Sequence, residues 1–445
     1  MIENIPEWAV ITSSIINKFQ KIWNQLDFFN EKILVAVSGG ADSIALLRLL
    51  LECKEHSKLI VVVIDHKMRL ESSEEAHFVE NLCNSYQINC IKIIWDEDNL
   101  NKNQETARRF RYAQLFRIAK DYFVSAIVTA HHKDDIIENF FIRANRGSGV
   151  DGLGLVQPVT YQQNVKLVKP LIFFYKEELV KYLKSINQQY CIDQSNFKPT
   201  YLRNRFRQML NSSDDFNKHN LFTTCLNLTR NYLNKIETIA GQVHYVSSFY
   251  PFGLVEINSE KFINLTYENA LSLLNKILIY LGNNIQALRL NQLINVLDKI
   301  NNQQNFKICL NKVIIQQKNK IISFYQENTN YPKSIKAHAI YSDSFYTIKN
   351  YSLYNLILRA PSKNEQSQFT LNSKSKTRYA HKLYQLRNTL PIYYISGLKN
   401  KYLAPTLTNN EIIINWMPEQ PLISQLLTLK DLKFFEELVI TKKML

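Results

Sequence analysis

The stretch ILVAVSGGADSIALLRLL at positions 33–50 sets a glycine turn between an unbroken apolar run and a helix-patterned one. Positions 33–37 have the continuous hydrophobicity of a buried parallel strand, while Ile44, Leu47 and Leu50 recur at helical spacing. The turn between them therefore faces the carboxyl end of a sheet. Gly39 and Gly40 carry no Cβ, so the backbone can close into a tight nest of amides. The helix that follows adds its own unpaired N–H groups and positive dipole end, and phosphate is the natural guest.

The spelling of the turn narrows the guest. A Walker loop needs GxxxxGK[ST] and a dinucleotide fold needs GxGxxG, and neither occurs here. Ser38, Ala41, Asp42 and Ser43 instead surround the two glycines with no lysine among them, which suits pyrophosphate and a metal better than a γ-phosphate. This SGGxDS pattern resembles the PP-loop ATP pyrophosphatases, which cleave ATP between its α and β phosphates to adenylate a substrate. The plain alternative is a strand-to-helix turn with chance glycines.

Strand-like runs at 33–37, 59–64, 90–95 and 126–130 alternate with helix-patterned segments. That alternation predicts an α/β domain over residues 1–213, a doubly wound, Rossmann-like parallel sheet. From 214 the pattern changes to long amphipathic stretches such as 267–281 and 288–300, with few strand signals, which predicts a helical middle domain over 214–330. Beyond the polar segment at 327–336, aromatic and β-branched residues return at 340–358 and 411–416, predicting a small mixed α+β domain over 331–445. A formal net charge of +15 and 12% aromatic residues favour a polyanionic partner with unpaired bases, against the alternative of a merely solvated lysine-rich surface. The six cysteines form no CxxC pair and no zinc-like spacing with histidine, and read as reduced core residues. The amino terminus lacks a basic region followed by an apolar core, and no apolar stretch approaches eighteen residues, so a cytoplasmic protein without a membrane partner is expected.

Four further groups of polar residues fall at strand ends, where an open α/β sheet places its ligands. Asp65, His66 and Arg69 follow the strand LIVVVI, although Ser72 or Ser73 capping a helix with Glu74 and Glu75 in its first turn accounts for part of that cluster. Arg108 and Arg111 lie three apart and share a helix face, where their guanidinium groups could clamp phosphates; Arg109 and Arg117 read equally well as solvated charges. In TAHHKDDIIENFFIRANRGSGVDGLGL, two histidines, two aspartates, Glu138 and Asn139 fall within nine residues. Helical geometry brings Asp134 or Asp135 near Glu138, a carboxylate cluster able to hold Mg²⁺ or an ammonium group. Arg143, Arg146 and the glycine-rich turn at 147–154 could then contact phosphates or a substrate backbone. Finally, Asp193 and Asn196 suit a turn, and Arg203, Arg205 and Arg207 form either a positive rim on the cleft or an ordinary basic surface.

Taken together, SGGADS, DHKMR, the 104–112 element with Gln104, TAHHKDDIIEN, RGSG, DGL, DQSN and YLRNRFR resemble the tRNA(Ile)-lysidine synthases in order and spacing, over about residues 30–210. The resemblance implies ATP-dependent adenylation of the C2 oxygen of a wobble cytidine in a CAU anticodon. Free L-lysine then attacks, giving lysidine, AMP and pyrophosphate and moving the codon read from AUG to AUA. It implies ATP on residues Ser38 to Ser43 with Asp65 and His66, Mg²⁺ at Asp42 and Asp134, and a catalytic set of Asp42, Arg108, Arg111, His131, His132, Asp135 and Glu138. Within that set, Asp135 would orient or deprotonate the lysine amine. It also implies tRNA contacts from Arg143, Arg146, Arg203, Arg205 and Arg207, with Lys374, Lys376, Arg378, Lys382 and Arg387 holding the RNA backbone, and is compatible with a homodimer. Two rivals stay open at this level: a tRNA thiolation enzyme with the same loop, which the scattered cysteines oppose, and a noncatalytic tRNA-binding protein with a relic loop, which the full set of polar residues opposes.

Overall fold

The apolar run at Ile33 forms β1 (Ile33–Ala36), which pairs in parallel with β2 (Leu59–Asp65) on one side and β4 (Ala126–Val128) on the other. Outside β2 lies β3 (Asn89–Ile94), and beyond β4 come β6 (Val165–Val168) and the edge strand β5 (Val159–Gln162). The order is β3-β2-β1-β4-β6-β5, and only β5 runs antiparallel. Side chains of β1 alternate across the sheet, as a period of two requires. Ile33 and Val35 join the large core that holds Phe19 and Trp23 of α1 (Glu7–Leu26) and Leu46, Leu47 and Leu50 of α2 (Ala41–Leu51). Leu34 faces the opposite way, against Leu115 and Ile118 of α4 (Gln104–Asp121), while α3 (Glu71–Ser85) adds Ala76, Val79 and Cys83 to the larger core. Both faces are covered, and that is why β1 and β2 read as continuous apolar runs instead of alternating ones.

The computed structural model describes residues 7–26, 28, 31–53, 56–67, 71–95, 104–162, 165–192, 202–212, 216–250, 253–282 and 288–327, with short segments between 334 and 416. Arg69, Asp193, Asn196, Lys374, Lys376, Arg378, Lys382, Arg387 and the side chain of Gln104 lie outside the described residues. The described residues fall into two compact units, one running to Asn234 and the other starting at Lys235. In the first unit the chain moves outward from β1 through β2 to β3, then returns to the other side of β1 to make β4. That reversal opens a crevice at the carboxyl ends of β1 and β4. It is flanked by α5 (Lys133–Ala144), which follows β4, and α7 (Lys176–Ser185), which follows β6. The short α6 (Val150–Leu153), α8 (Leu202–Ser212) and the start of α9 (Lys218–Val246) complete the unit.

The second unit contains helices where the amphipathic stretches predict them, α11 (Tyr267–Gly282) and α12 (Leu290–Asn301), after the short α10 (Ser259–Ile263). It also contains a five-stranded antiparallel sheet that the few strand signals did not announce. Its strands are β7 (Ser247–Tyr250), β8 (Leu254–Asn258), β9 (Phe306–Leu310), β10 (Val313–Lys318) and β11 (Ile321–Gln326), in the order β7-β8-β11-β10-β9. The hairpin between β9 and β10 turns on Asn311 and Lys312, both at positive φ (55° and 61°). That is the geometry of a primed two-residue turn, spelled Asn-Lys where Asn-Gly would have been the recognisable signal. Farther on, β12 (Ser334–Ile335), β15 (Leu356–Arg359), β16 (Ile392–Ile395) and β17 (Lys401–Leu403) form one antiparallel sheet. A second is made by β13 (Ile340–Ser342), β14 (Tyr346–Asn350) and β18 (Ile412–Trp416). Among the described residues, no helix is long and apolar enough to cross a membrane.

Candidate active site

Leaving β1, the backbone turns through Gly39 at φ +85°, a left-handed conformation that costs a side chain dearly. A Cβ there would also stand 3.3 Å from Cys191 Sγ. The Cys191 amide donates to the Gly39 carbonyl at 2.9 Å, and Cys191 pairs with Gly40 as a parallel bridge, so the loop is fastened from outside. From inside, Ser43 Oγ accepts the Ser38 amide at 3.1 Å and donates to the Gly40 carbonyl at 2.9 Å. Gly40 is the N-cap of α2 and supplies no side-chain cap. The first-turn amides of α2, at Ala41, Asp42 and Ser43, have no intrahelical acceptor and are left for a ligand.

The loop after β4 brings the second half of the site. His132 is the N-cap of α5 and is 2% exposed. Its backbone amide donates to Asp135 Oδ2 at 3.1 Å, a reciprocal capping box that fixes the first turn. Its imidazole sits among three carboxylates: Nε2 lies 3.5 Å from Asp42 Oδ2 and 3.6 Å from Asp135 Oδ2, and Nδ1 lies 3.5 Å from Asp134 Oδ2. Burial alone would lower the His132 pKa, but Asp135, Asp134 and Asp42 push it up to about 10, so the ring is an imidazolium at neutral pH. His131 goes the other way. Burial lowers it to about 4, and its Nδ1 pairs with Thr129 Oγ1 at 2.9 Å, so it stands neutral next to its charged neighbour.

Asp135 and Glu138 do lie together, and a single arginine joins them. Arg203 Nη2 donates to Asp135 Oδ1 at 2.8 Å and Arg203 Nε to Glu138 Oε2 at 2.7 Å, while Arg207, one turn along α8, donates Nε to Glu138 Oε1 at 2.6 Å. Arg203 and Arg207, expected on a positive rim, thus turn inward and neutralise the acids. Arg205, between them, is exposed. Asp134, expected beside a metal, has both oxygens engaged. The Lys176 amide donates to Oδ2 at 2.9 Å and Lys218 Nζ to Oδ1 at 3.1 Å, which makes it a strut between α5, α7 and α9.

At the end of β2, Asp65 is 1% exposed and works as a clasp. Its Oδ1 accepts from the Lys67 amide (2.9 Å) and Ser72 Oγ (2.6 Å), and its Oδ2 from Ser73 Oγ (2.6 Å). Both serine hydroxyls donate to the aspartate, and Asp65 shapes the wall of the crevice through the β2–α3 turn. Burial opposes ionisation there, but the hydroxyl and amide donors hold its pKa below the ordinary value. Its contribution is present above the unfolded pKa and lost as pH falls through the folded one. Asp65→Ala is expected to lower stability by about 2 kcal/mol, read as a drop in thermal midpoint, with Asp65→Asn costing less because one acceptor oxygen remains. An unchanged midpoint for the alanine variant would remove the clasp. Beside it, the His66 ring meets Trp95 edge-on at 5.9 Å and its Nε2 lies 3.4 Å from Arg111 Nη2; burial and then Arg111 lower its pKa to about 4. Arg108 stacks over Tyr112 at 5.0 Å and is exposed, so the two α4 arginines take different partners.

The glycine-rich turn is chiefly a packing device. Arg143 Nη1 donates to the Gly152 carbonyl at 2.7 Å, and a Cβ on Gly154 would come within 2.8 Å of Tyr232. Arg146 is exposed. Four lysines escaped the sequence reading. Lys176 places Nζ 3.6 Å from Asp42 Oδ2, and Lys218 holds Asp134. Lys133 is 5% exposed with Nζ 4.3 Å above the Tyr175 ring, and Lys169 follows β6. Burial lowers the pKa of Lys133 and of Lys169 to about 8. The rule that would have found Lys169 and Lys176 is topological: residues just past the carboxyl end of any parallel strand, β6 included, enter the same crevice. Beside the acids lies a cavity of about 740 Å³ lined by His132, Asp134, Glu138, Tyr175, Lys176 and Lys218 among others.

Comparison with known proteins agrees with this geometry. The family described as PP-loop domain matches residues 11–213. A tRNA(Ile)-lysidine synthase of Rickettsia felis is 31% identical over 320 residues, covering 70% of this chain and 74% of the relative. One from Rickettsia bellii is 30% identical over 77% of this chain and 82% of the relative, and one from Orientia tsutsugamushi is 28% identical over 86% and 88%. With the phosphate loop, the α5 acids and this extent of similarity in one chain, the protein belongs to the tRNA(Ile)-lysidine synthase family.

Proposed function

We propose that the protein converts the wobble cytidine of a CAU-anticodon tRNA(Ile) to lysidine, using ATP and free L-lysine. The observation that carries this reading is the placement of His132. One buried imidazolium touches Asp42 of the phosphate loop and Asp135 of the acid cluster, so the place where ATP is split and the place where an amine is drawn in are one side chain apart. In the first step the cytidine C2 oxygen attacks the α-phosphorus and pyrophosphate leaves onto the amides of the α2 amino terminus. His132 spreads positive charge over the same region. In the second step the lysine amine displaces AMP. The adjoining cavity, with Asp134, Glu177 and Glu178 in its lining, has room for an amino acid.

Asp135 stands in this cluster as a carboxylate. Burial opposes its charge, but His132 and then Arg203 hold it at about 2. In this reading Asp135 orients the lysine amine or takes the proton that the ammonium must lose before it attacks.

For Mg²⁺, the fit is at Asp42. Its Oδ1 is buried with no hydrogen-bond partner, an orphan atom that a cation would satisfy. Magnesium is commonly held by one or two carboxylates together with substrate phosphates, and when bound it supplies charge neutralisation for the departing pyrophosphate. Asp134, with its oxygens engaged, does not fit the second position. Arg146 and Arg205 remain exposed for an RNA backbone, and a cytoplasmic location follows from a tRNA substrate. Incubating the protein with ATP, Mg²⁺, labelled lysine and tRNA(Ile) bearing CAU tests the proposal. Label in RNA that requires both ATP and the wobble cytidine is expected. AMP and pyrophosphate formed without label would leave the phosphate loop in place and remove lysine as the nucleophile.

A further inference from the structure

The phosphate loop lacks a lysine in sequence, yet the fold delivers one. Lys176 is the first residue of α7 and follows Tyr175 out of the β6 side of the crevice. Its backbone amide is fixed on Asp134 Oδ2 at 2.9 Å, so the stem of the side chain has a set origin. Its ammonium lies 3.6 Å from Asp42 Oδ2, at the amino terminus of α2, and the side chain keeps 44% exposure. It is thus anchored at the backbone, charged at the tip and only loosely held there. A contact at 3.6 Å is an ion pair without a good hydrogen bond, which a stronger anion can take over.

We propose that Lys176 is the phosphate-binding cation of this loop, resting on Asp42 in the free protein and passing to the β-phosphate oxygens when ATP arrives. This rests on the ATP-splitting reading above and adds a residue to it. During adenylation the bond between the α-phosphorus and its bridging oxygen to the β-phosphate breaks. The electron pair stays on that oxygen, and the cytidine oxygen forms the new bond to phosphorus. The Lys176 ammonium meets the charge that builds on the leaving pyrophosphate and transfers no proton. Moving Lys176 off Asp42 also frees the carboxylate face that it covers, so one ligand both recruits the cation and uncovers the acid. The arrangement serves the purpose of a P-loop lysine, but the residue comes from the helix after β6 instead of from the loop itself.

Three variants test this: Lys176→Ala, Lys176→Arg and Lys176→Met. All keep the backbone amide on Asp134, and thermal melting checks that each folds. The first readout needs no RNA: binding of magnesium pyrophosphate measured by calorimetry. The second is ATP–pyrophosphate exchange with tRNA present, resolved into kcat and KM for ATP. Lys176→Ala and Lys176→Met are expected to weaken pyrophosphate binding by at least about tenfold and to lower exchange kcat by roughly 100-fold, the scale of removing one charge-stabilising donor. Lys176→Arg, with charge and reach retained, is expected to recover a large part of both, and tRNA affinity is expected to stay within twofold. Folded alanine and methionine variants with pyrophosphate binding and exchange within twofold of the parent would overturn the assignment. So would equal losses in the arginine and alanine variants, which mark a packing role. Failure of the functional reading looks different: the unmodified protein would bind pyrophosphate but put no lysine into RNA.

Discussion

Glu138→Ala is expected to lower folding stability by about 2–3 kcal/mol and to abolish lysine transfer. The side chain is 2% exposed, and each of its oxygens accepts from an α8 guanidinium. Its removal leaves Arg203 and Arg207 facing a partly buried void with their charge uncompensated. Breaking a fully buried pair costs about 3–5 kcal/mol; the figure here is lower because the arginines keep 34% and 26% exposure and recover some hydration. The urea midpoint reads it, followed by tryptophan fluorescence, for which Trp23 and Trp95 are buried reporters in the same unit. Glu138→Gln retains the shape and two acceptor lone pairs and is expected to lose about half as much. An alanine variant with the parent midpoint would show that α8 docks on α5 without this knot.

The second large effect is expected at Asp42. Asp42→Ala should reduce ATP–pyrophosphate exchange at least about 100-fold while tRNA affinity remains within twofold. Asp42 supplies the unpartnered buried oxygen at the loop, one of the three carboxylates that charge His132, and the resting place of Lys176. Among the described residues, none of these contacts involves Arg146 or Arg205, the exposed arginines proposed for RNA. Exchange at the parent rate would take Asp42 out of the nucleotide site altogether, and a parallel loss of tRNA binding would point to a collapsed crevice.

The contrast between what the sequence made legible and what it concealed follows from range. Strands β1 to β4 and the turn at 38–43 were legible because each is a local pattern: an apolar run, a glycine pair, a helical period. That Asp134 or Asp135 would meet Glu138 was legible for the same reason, since residues three or four apart share a helix face. The partners of those acids were not. Arg203 lies 65 positions from Glu138. An alternating string of arginines has two faces, and nothing local says which one the fold turns inward. The engagement of Asp65 by Ser72 and Ser73 was not legible, because those bonds exist only in three dimensions. The β9–β10 hairpin was hidden by an Asn-Lys turn and by Gln317 standing at a core position of β10.

The bridge between Gly40 and Cys191 ties the loop to a segment that is made much later in synthesis. A ribosome that has finished the glycines has about 150 residues still to make before Cys191 exists, roughly 8–30 s at ordinary elongation rates. Until then the Gly39 carbonyl has no amide to hold it, and α7 and α8, which furnish the cations of the crevice, have not been translated. The nascent chain thus carries a recognisable nucleotide motif that is not yet a nucleotide site. The crevice has its full set of residues only once the segment that carries α7, Cys191 and α8 has been made.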